Sequence, residues 1–188
     1  MHWLATVAGT VFRHATAGFL ALVVFYLSLV TTSAPVGAEN MESIERAIAV
    51  LETKGFGREV FLLRHVATFR SSDNWLNGLN PDENAFAATN FPFEIITVYP
   101  DFFTKAQDDT ERAMILLHEA QHLQNADEQQ AYTRVWRDRE RLGWTALSHG
   151  TTPTYITVEL LTRENAPELF ECNSKLWRDC TEKLRAKR

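Results

Sequence analysis

One stretch of the sequence combines residue types and spacing suited to metal chemistry: His118-Glu119-Ala120-Gln121-His122. Two histidines four positions apart share one face of a helix, so both imidazoles can reach a single ion. Zinc accepts imidazole nitrogen at about 2.0–2.1 Å and prefers four ligands, of which a catalytic site leaves one to water. One further protein ligand is then required. Glu119 follows the first histidine and is rotated off the ligand face. There it can take a proton from a water activated at the site and pass it to a leaving group. The bland alternative is two surface histidines on an amphipathic helix.

Glu128 is the first choice for the third ligand. After His122 the chain reads Leu123-Gln124-Asn125-Ala126-Asp127-Glu128. Asn tolerates a left-handed backbone, so Asn125 can end the helix and turn the chain back. Glu128 would then lie in the first turn of the next helix, facing the metal. A histidine or aspartate at that distance beyond a turn glycine is the metzincin arrangement; here Asn and Glu take those places. The competing role for Glu128 is to cap the second helix beside Asp127, which the helix dipole also favours. Glu159, Glu164 and His149 are the other ligand candidates.

These residues need elements to hold them. Asp108 to Gln124 reads as a helix, opening with Asp108 and Glu111 at capping-box spacing and continuing through Ala113, Met114, Leu116 and Leu117. Glu128 to Leu142 reads as a second helix, with Gly143 closing it. Met41 to Lys54 has Ile44, Ala47, Ile48 and Leu51 on one helical face, followed by Gly55. Glu59 to Phe69, rich in Val, Leu and Phe, reads as a strand. Arg70 to Glu83 reads as a loop. Phe93 to Tyr99 is the strongest strand signal, stopped by Pro100. Glu168 to Arg188 reads as helical. Trp136, Trp144 and Trp177 read as packing residues. The class is α+β: a small sheet packed on the metal-bearing helix, with further helices.

The stretch from Asn84 to His122 resembles the minimal gluzincins, the zinc peptidase group that includes the membrane heat-shock and CAAX-processing proteases. Those proteins show an N-A-F-A segment, an edge strand, a spacer and then HExxH. Here Asn84-Ala85-Phe86-Ala87 precedes the strand and HEAQH follows it. The family's third ligand is a Glu in an E-x-x-A-D segment, which Glu128-Gln129-Gln130-Ala131-Tyr132 matches in all but the last position. The family's connection between the two ligand helices is usually much longer. The resemblance covers about forty-five residues. It implies a zincin-like fold, a zinc cofactor and peptide hydrolysis. It also implies that Phe93 to Tyr99 is the edge strand on which an extended peptide substrate lies by strand addition. The family uses a side chain to donate a hydrogen bond to the oxyanion, a role open here to Tyr132 or His149. A core aromatic and a solvated loop histidine are their alternatives.

The rest of the chain bounds the setting. Residues Ala15 to Ala38 carry no charge, and Arg13 and His14 precede them. A basic start, an apolar centre and the small-residue end Val36-Gly37-Ala38 read as a signal peptide over residues 1–38, cleaved after Ala38, with the zincin-like domain over 39–188. A retained membrane anchor is the competing reading, because the apolar run approaches the length that spans a bilayer. Both place the domain outside the cytoplasm, periplasmic or secreted, because the basic charge lies before the run. With 45% hydrophobic and 23% charged residues the chain is ordinary globular protein, and a net charge of -5 without a basic stripe gives no nucleic-acid partner. Cys172 and Cys180 are the only cysteines, and export suggests that they bridge. On a straight helix they would be about 12 Å apart, so the bond needs a break near Asn173 or Ser174. The functional expectation is an exported zinc metallopeptidase. A non-catalytic binding protein with a structural zinc, or an inactive relative without metal, are the rivals.

Overall fold

A computed structural model of the chain describes residues 2–79, 86–171 and 180–181. Three helices come first: α1 (His2–Thr32), α2 (Ala38–Thr53) and α3 (Gly57–His65). A short strand β1 (Thr68–Arg70) and a 3-10 turn (Asn77–Leu79) follow, then strands β2 (Ala87–Asn90) and β3 (Ile95–Val98). The helices α4 (Pro100–Thr104), α5 (Asp109–His122), α6 (Glu128–Leu142), α7 (Ala146–His149) and α8 (Pro153–Asn165) follow, and a 3-10 turn at Pro167–Leu169 is the last element among the described residues. The class is α+β.

Helix α5 is the centre of the packing. Ala113, Met114, Leu116, Leu117 and Ala120 are all buried, more than one stripe's worth, so the helix is covered on several sides. Helix α2 covers it with Ile44, Ala47, Ile48 and Leu51, the face its periodicity marks. Helix α6 lies along α5 as the second arm of a helical hairpin and buries Val135, Trp136 and Leu142. Trp136 and Trp144 meet edge-on at 6.0 Å and form part of the core. Trp177 lies outside the described residues.

Two expectations change. Glu59 to Phe69 is not a strand: α3 runs to His65, and only Thr68–Arg70 is extended. The buried residues Phe56, Val60 and Leu63 recur at helical spacing, and that period outweighs the β-propensity of the composition. Nor is Phe93 to Tyr99 an edge strand. The sheet order is β1-β3-β2, with β1 parallel and β2 antiparallel to β3, so β3 is the middle strand. All four of its residues are buried, as an unbroken run Ile-Ile-Thr-Val requires when both faces of a strand are covered. The edge beside α5 is β2, whose outer side has no strand partner among the described residues. The Arg70 to Glu83 loop contains the end of β1 and the 3-10 turn, and its last residues are not described.

Helix α1 carries a 24-residue stretch, Gly9–Thr32, long and apolar enough to cross a membrane. Its last turns pack against the sheet side of the domain. Leu29 is fully buried, and the Phe25 ring lies 5.6 Å from Trp75 and 5.0 Å from Phe93. The helical ending expected for Glu168 to Arg188 is described only in part, as the 3-10 turn and a turn at Cys180 and Thr181. Cys180 is disulfide-bonded, and there is no free cysteine among the described residues; Cys172, Asn173 and Ser174 lie outside them.

Candidate metal centre

The helix that carries the histidines is fixed at both ends by its own sequence. At the start, the Asp108 carboxylate accepts from the backbone N–H of Thr110 and Glu111, both at 2.9 Å. Glu111 does not close the box onto Asp108. Its buried carboxylate accepts from the Gln107 N–H at 2.8 Å, from the Trp144 indole at 3.5 Å and from the Thr152 hydroxyl. His149 Nε2 sits 3.1 Å from the Asp108 carboxylate. Burial acts to raise Asp108, but the Glu111 N–H and the His149 imidazole outweigh it, and the carboxyl lies below its ordinary value. His149 therefore belongs to the start of α5, and it is neither in the metal-ligand group nor on the cavity wall beside it.

At the other end the helix stops at His122. Asn125 adopts φ 62°, and the Ala126 N–H returns to the Gln121 carbonyl at 3.1 Å. This is the left-handed reversal that Asn accommodates better than other residues with a side chain. Asp127 then caps α6: its carboxylate accepts from the Gln130 N–H at 2.8 Å, and the Gln130 side chain accepts from the Asp127 N–H at 3.3 Å. Because Asp127 is the cap, Glu128 is released from that duty. It occupies the first turn of α6 and faces back across the hairpin.

Three ligand atoms meet there. His118 Nε2 and His122 Nε2 are 3.0 Å apart, and the two Glu128 oxygens lie 3.3 and 3.4 Å from them respectively. An ion bound tetrahedrally at about 2.05 Å places its ligand atoms about 3.3–3.4 Å from one another. The triangle is already close to the size a zinc-like ion requires, and its donor set of two imidazoles and one carboxylate is among the catalytic zinc sets. His118, His122 and Glu128 thus form a group able to hold a metal ion. His122 Nδ1 donates to the Ala126 carbonyl at 2.9 Å, which fixes the tautomer that leaves Nε2 available. The same turn that brings Glu128 round therefore also orients one of the candidate ligand histidines.

The electrostatics agree. Burial disfavours a charged His122, but the Glu128 hydrogen bond, the Glu119 charge and the Ala126 carbonyl together push it up to about 9. Hydrogen bonds from His118 and His122 hold the Glu128 carboxyl well below the usual carboxylate range, against the effect of its own burial. The site attracts positive charge, and without an ion a proton supplies it.

Glu119 is only 4% exposed and lies beside the triangle on the cavity wall. Its carboxylate accepts from the Thr89 hydroxyl at 2.7 Å, so the edge strand β2 holds the candidate base in place. Sequence reasoning missed Thr89. The segment Ala-Ala-Thr-Asn carries no strong strand signal, and only the pairing of β2 with β3 aims Thr89 at α5. Tyr132 packs its ring 4.4 Å from that of His118 and lines the same cavity. The cavity measures 580 Å³ and is walled by Phe86, Thr89 and Phe91 on one side and Val158, Leu161 and Glu164 of α8 on the other. Glu164 is on that wall but outside the ligand group. Glu159 is paired with Arg163 at 2.7 Å.

No protein-family model, curated protein or solved structure matches this chain. What the cluster can do follows from its own donor set and surroundings. An ion at the triangle would have three protein ligands, an open cavity on one side and a buried carboxylate within reach of that opening.

Proposed function

We propose that this chain is an exported zinc-dependent hydrolase of peptide bonds, with a zincin-like arrangement of sheet and ligand helices. The observation that carries this is the three-ligand triangle of His118, His122 and Glu128 at tetrahedral-edge spacing on the wall of an open cavity, with Glu119 beside it. A structural zinc usually has four protein ligands, and the ligand group among the described residues has three. A bound zinc ion would acidify water in its open position and polarise a carbonyl.

The chain's own residues supply the remainder. Glu119, held by Thr89, accepts the proton from the attacking water and returns it to the leaving amine. The outer edge of β2 offers backbone groups along which an extended peptide adds as a further strand, next to Glu119. Tyr132 lines the cavity with its ring against His118, which supports it as the donor to a developing oxyanion. Arg13 preceding the apolar helix supports export, since a basic start favours an N-terminus on the cytoplasmic side.

Glu119→Gln tests the reading. The amide still accepts from Thr89 but cannot take a proton, so zinc content should persist while cleavage of a denatured protein or mixed peptide library falls by about 10²–10⁴. If the wild-type chain, fully loaded with zinc, cleaves neither substrate, hydrolysis is refuted and a structural zinc becomes the better account.

A further inference from the structure

Helix α1 is fastened to the domain by more than a connecting loop. The Arg70 guanidinium donates to the Ser33 hydroxyl at 2.9 Å, to the Val30 carbonyl at 2.7 Å and to the Ser33 carbonyl, closing the C-terminal end of the helix. The Ser71 N–H donates to the Ala34 carbonyl at 2.9 Å, and Pro35 bridges to Arg70. The Tyr26 hydroxyl meets the Thr68 hydroxyl at 3.0 Å, and the Trp75 indole donates to the Ser28 hydroxyl at 3.1 Å. Leu29 is fully buried. Cutting after Ala38 and removing α1 would strip Arg70 of these acceptors and bare Phe93 and Trp75. The cleaved leader read from the sequence fits this poorly.

Over residues 9–32 the rest of α1 is largely apolar and uncovered: Phe12, Phe19, Leu20, Leu22, Val24 and Leu27 are each more than half exposed. Lipid is the occupant that suits a surface of this kind on a helix long and apolar enough to cross a membrane. The helix then acts as a ruler. From Ala15, just after the last charge and its neighbouring histidine, to Thr32 is 18 residues, about 27 Å of helix, against a hydrocarbon core of about 30 Å. No slack is left. The docking residues Phe25 to Thr32 occupy about the last 10 Å of that path, so whatever touches them is drawn to the bilayer surface. Trp75 and Phe93 touch Phe25. Beside them Trp75 is 43% exposed, and Phe91, in the turn between β2 and β3, is 49% exposed. Exposed aromatic residues at this level are what membrane interfaces collect.

We propose that Trp75 and the Phe91–Phe93 turn form a lipid-contacting face continuous with a retained α1. Because Phe91 also lines the metal cavity, this face seats the mouth of the cavity on the membrane surface. The inference rests on α1 crossing the membrane, not on hydrolysis.

The test uses the full chain in phosphatidylcholine vesicles. Cys180 is disulfide-bonded and no free cysteine occurs among the described residues, so Phe91→Cys takes a single thiol-reactive environment-sensitive fluorophore, and Leu147→Cys is the control. Leu147 is 91% exposed on α7, near the end of α5 opposite the metal cluster. With lipids spin-labelled near the headgroup, emission at position 91 should be quenched by more than about half and shifted to the blue, and emission at 147 should be unaffected. Equal behaviour at the two positions, or a mature chain beginning at Glu39 and free of the vesicles, overturns the proposal. Should Phe91→Cys fail to fold, quenching of tryptophan by brominated lipid decides instead. It should fall in Trp75→Phe relative to wild type, and no difference overturns the proposal. Neither readout uses zinc or catalysis, so failure of the hydrolase reading would leave this result standing.

Discussion

Zinc affinity should depend on pH in a range where an ordinary histidine would leave it flat. A histidine binds metal only as neutral imidazole, so an ion must displace any proton it carries. His122 is pushed up to about 9, with Glu128, Glu119 and the Ala126 carbonyl outweighing burial. The direction follows from the sign of the shift. A raised value favours the protonated metal-free state below about 9, and that state's advantage is lost as pH rises through 9. At pH 7 a site of this kind is protonated about 99% of the time in the absence of metal. The proton therefore weakens binding by about 100-fold, or about 3 kcal/mol. The apparent dissociation constant should fall about tenfold per pH unit from about pH 6 to 8 and level off near pH 9. With an ordinary value of about 6.5 it would level off by about pH 7. Competition against a chromophoric zinc chelator, corrected for the chelator's own protonation, measures this. Affinity that is constant between about pH 7 and 9 would refute the claim that Glu128 and Glu119 hold a proton on His122. Glu128→Gln should weaken zinc binding overall and move the break toward lower pH, since it removes the partner that most raises His122.

Three substitutions probe the supports around the triangle. Thr89→Val removes the donor to Glu119, so turnover should fall by about tenfold or more while zinc content is unchanged, a combination that loss of folding would not give. Asn125→Val places a β-branched residue at φ 62° and should cost about 1–2 kcal/mol in chemical denaturation, together with weaker zinc binding because the turn sets both Glu128 and the His122 tautomer. Asp108→Ala removes the cap of α5 and should cost about 1 kcal/mol of stability. Because Asp108 lies below its ordinary value, the difference from wild type should be present above about pH 4 and fade as pH falls further; a difference unchanged at about pH 2 would contradict the cap's ionisation.

The parts of the fold that were legible in the sequence are those written in local chemistry. The hairpin of α5 and α6 follows from the caps Asp108 and Asp127, the reversal at Asn125 and the glycine at 143, each a backbone requirement met by one residue type. Glu128 was open between ligand and cap because two acidic residues compete for the same helix start. The capping box on Asp127 resolves this, a distinction of side-chain geometry that no spacing carries. The long-range features were less legible. The composition marks neither β2 as a strand nor β3 as the middle one, because which strand lies outside depends on pairing and not on the strand's own residues. Helix α3 reads as a strand in the sequence because Val, Leu and Phe suit one until their burial shows a helical period. Residue type alone makes His149 a candidate for the metal site, and the fold carries it to the start of α5. Helix α8 had no assignment, yet Val158, Leu161 and Glu164 build one wall of the cavity.

X-ray absorption at the zinc edge of the purified full chain distinguishes an open three-ligand site at His118, His122 and Glu128 from a closed or absent one. The account predicts about one zinc per chain, with two imidazoles and oxygen donors in a four-coordinate shell at about 2.0–2.1 Å, one oxygen being exchangeable water. His118→Ala or His122→Ala should abolish that signal. Zinc retained at full stoichiometry in either variant, or a shell closed by four protein ligands, would contradict a catalytic site at His118, His122 and Glu128.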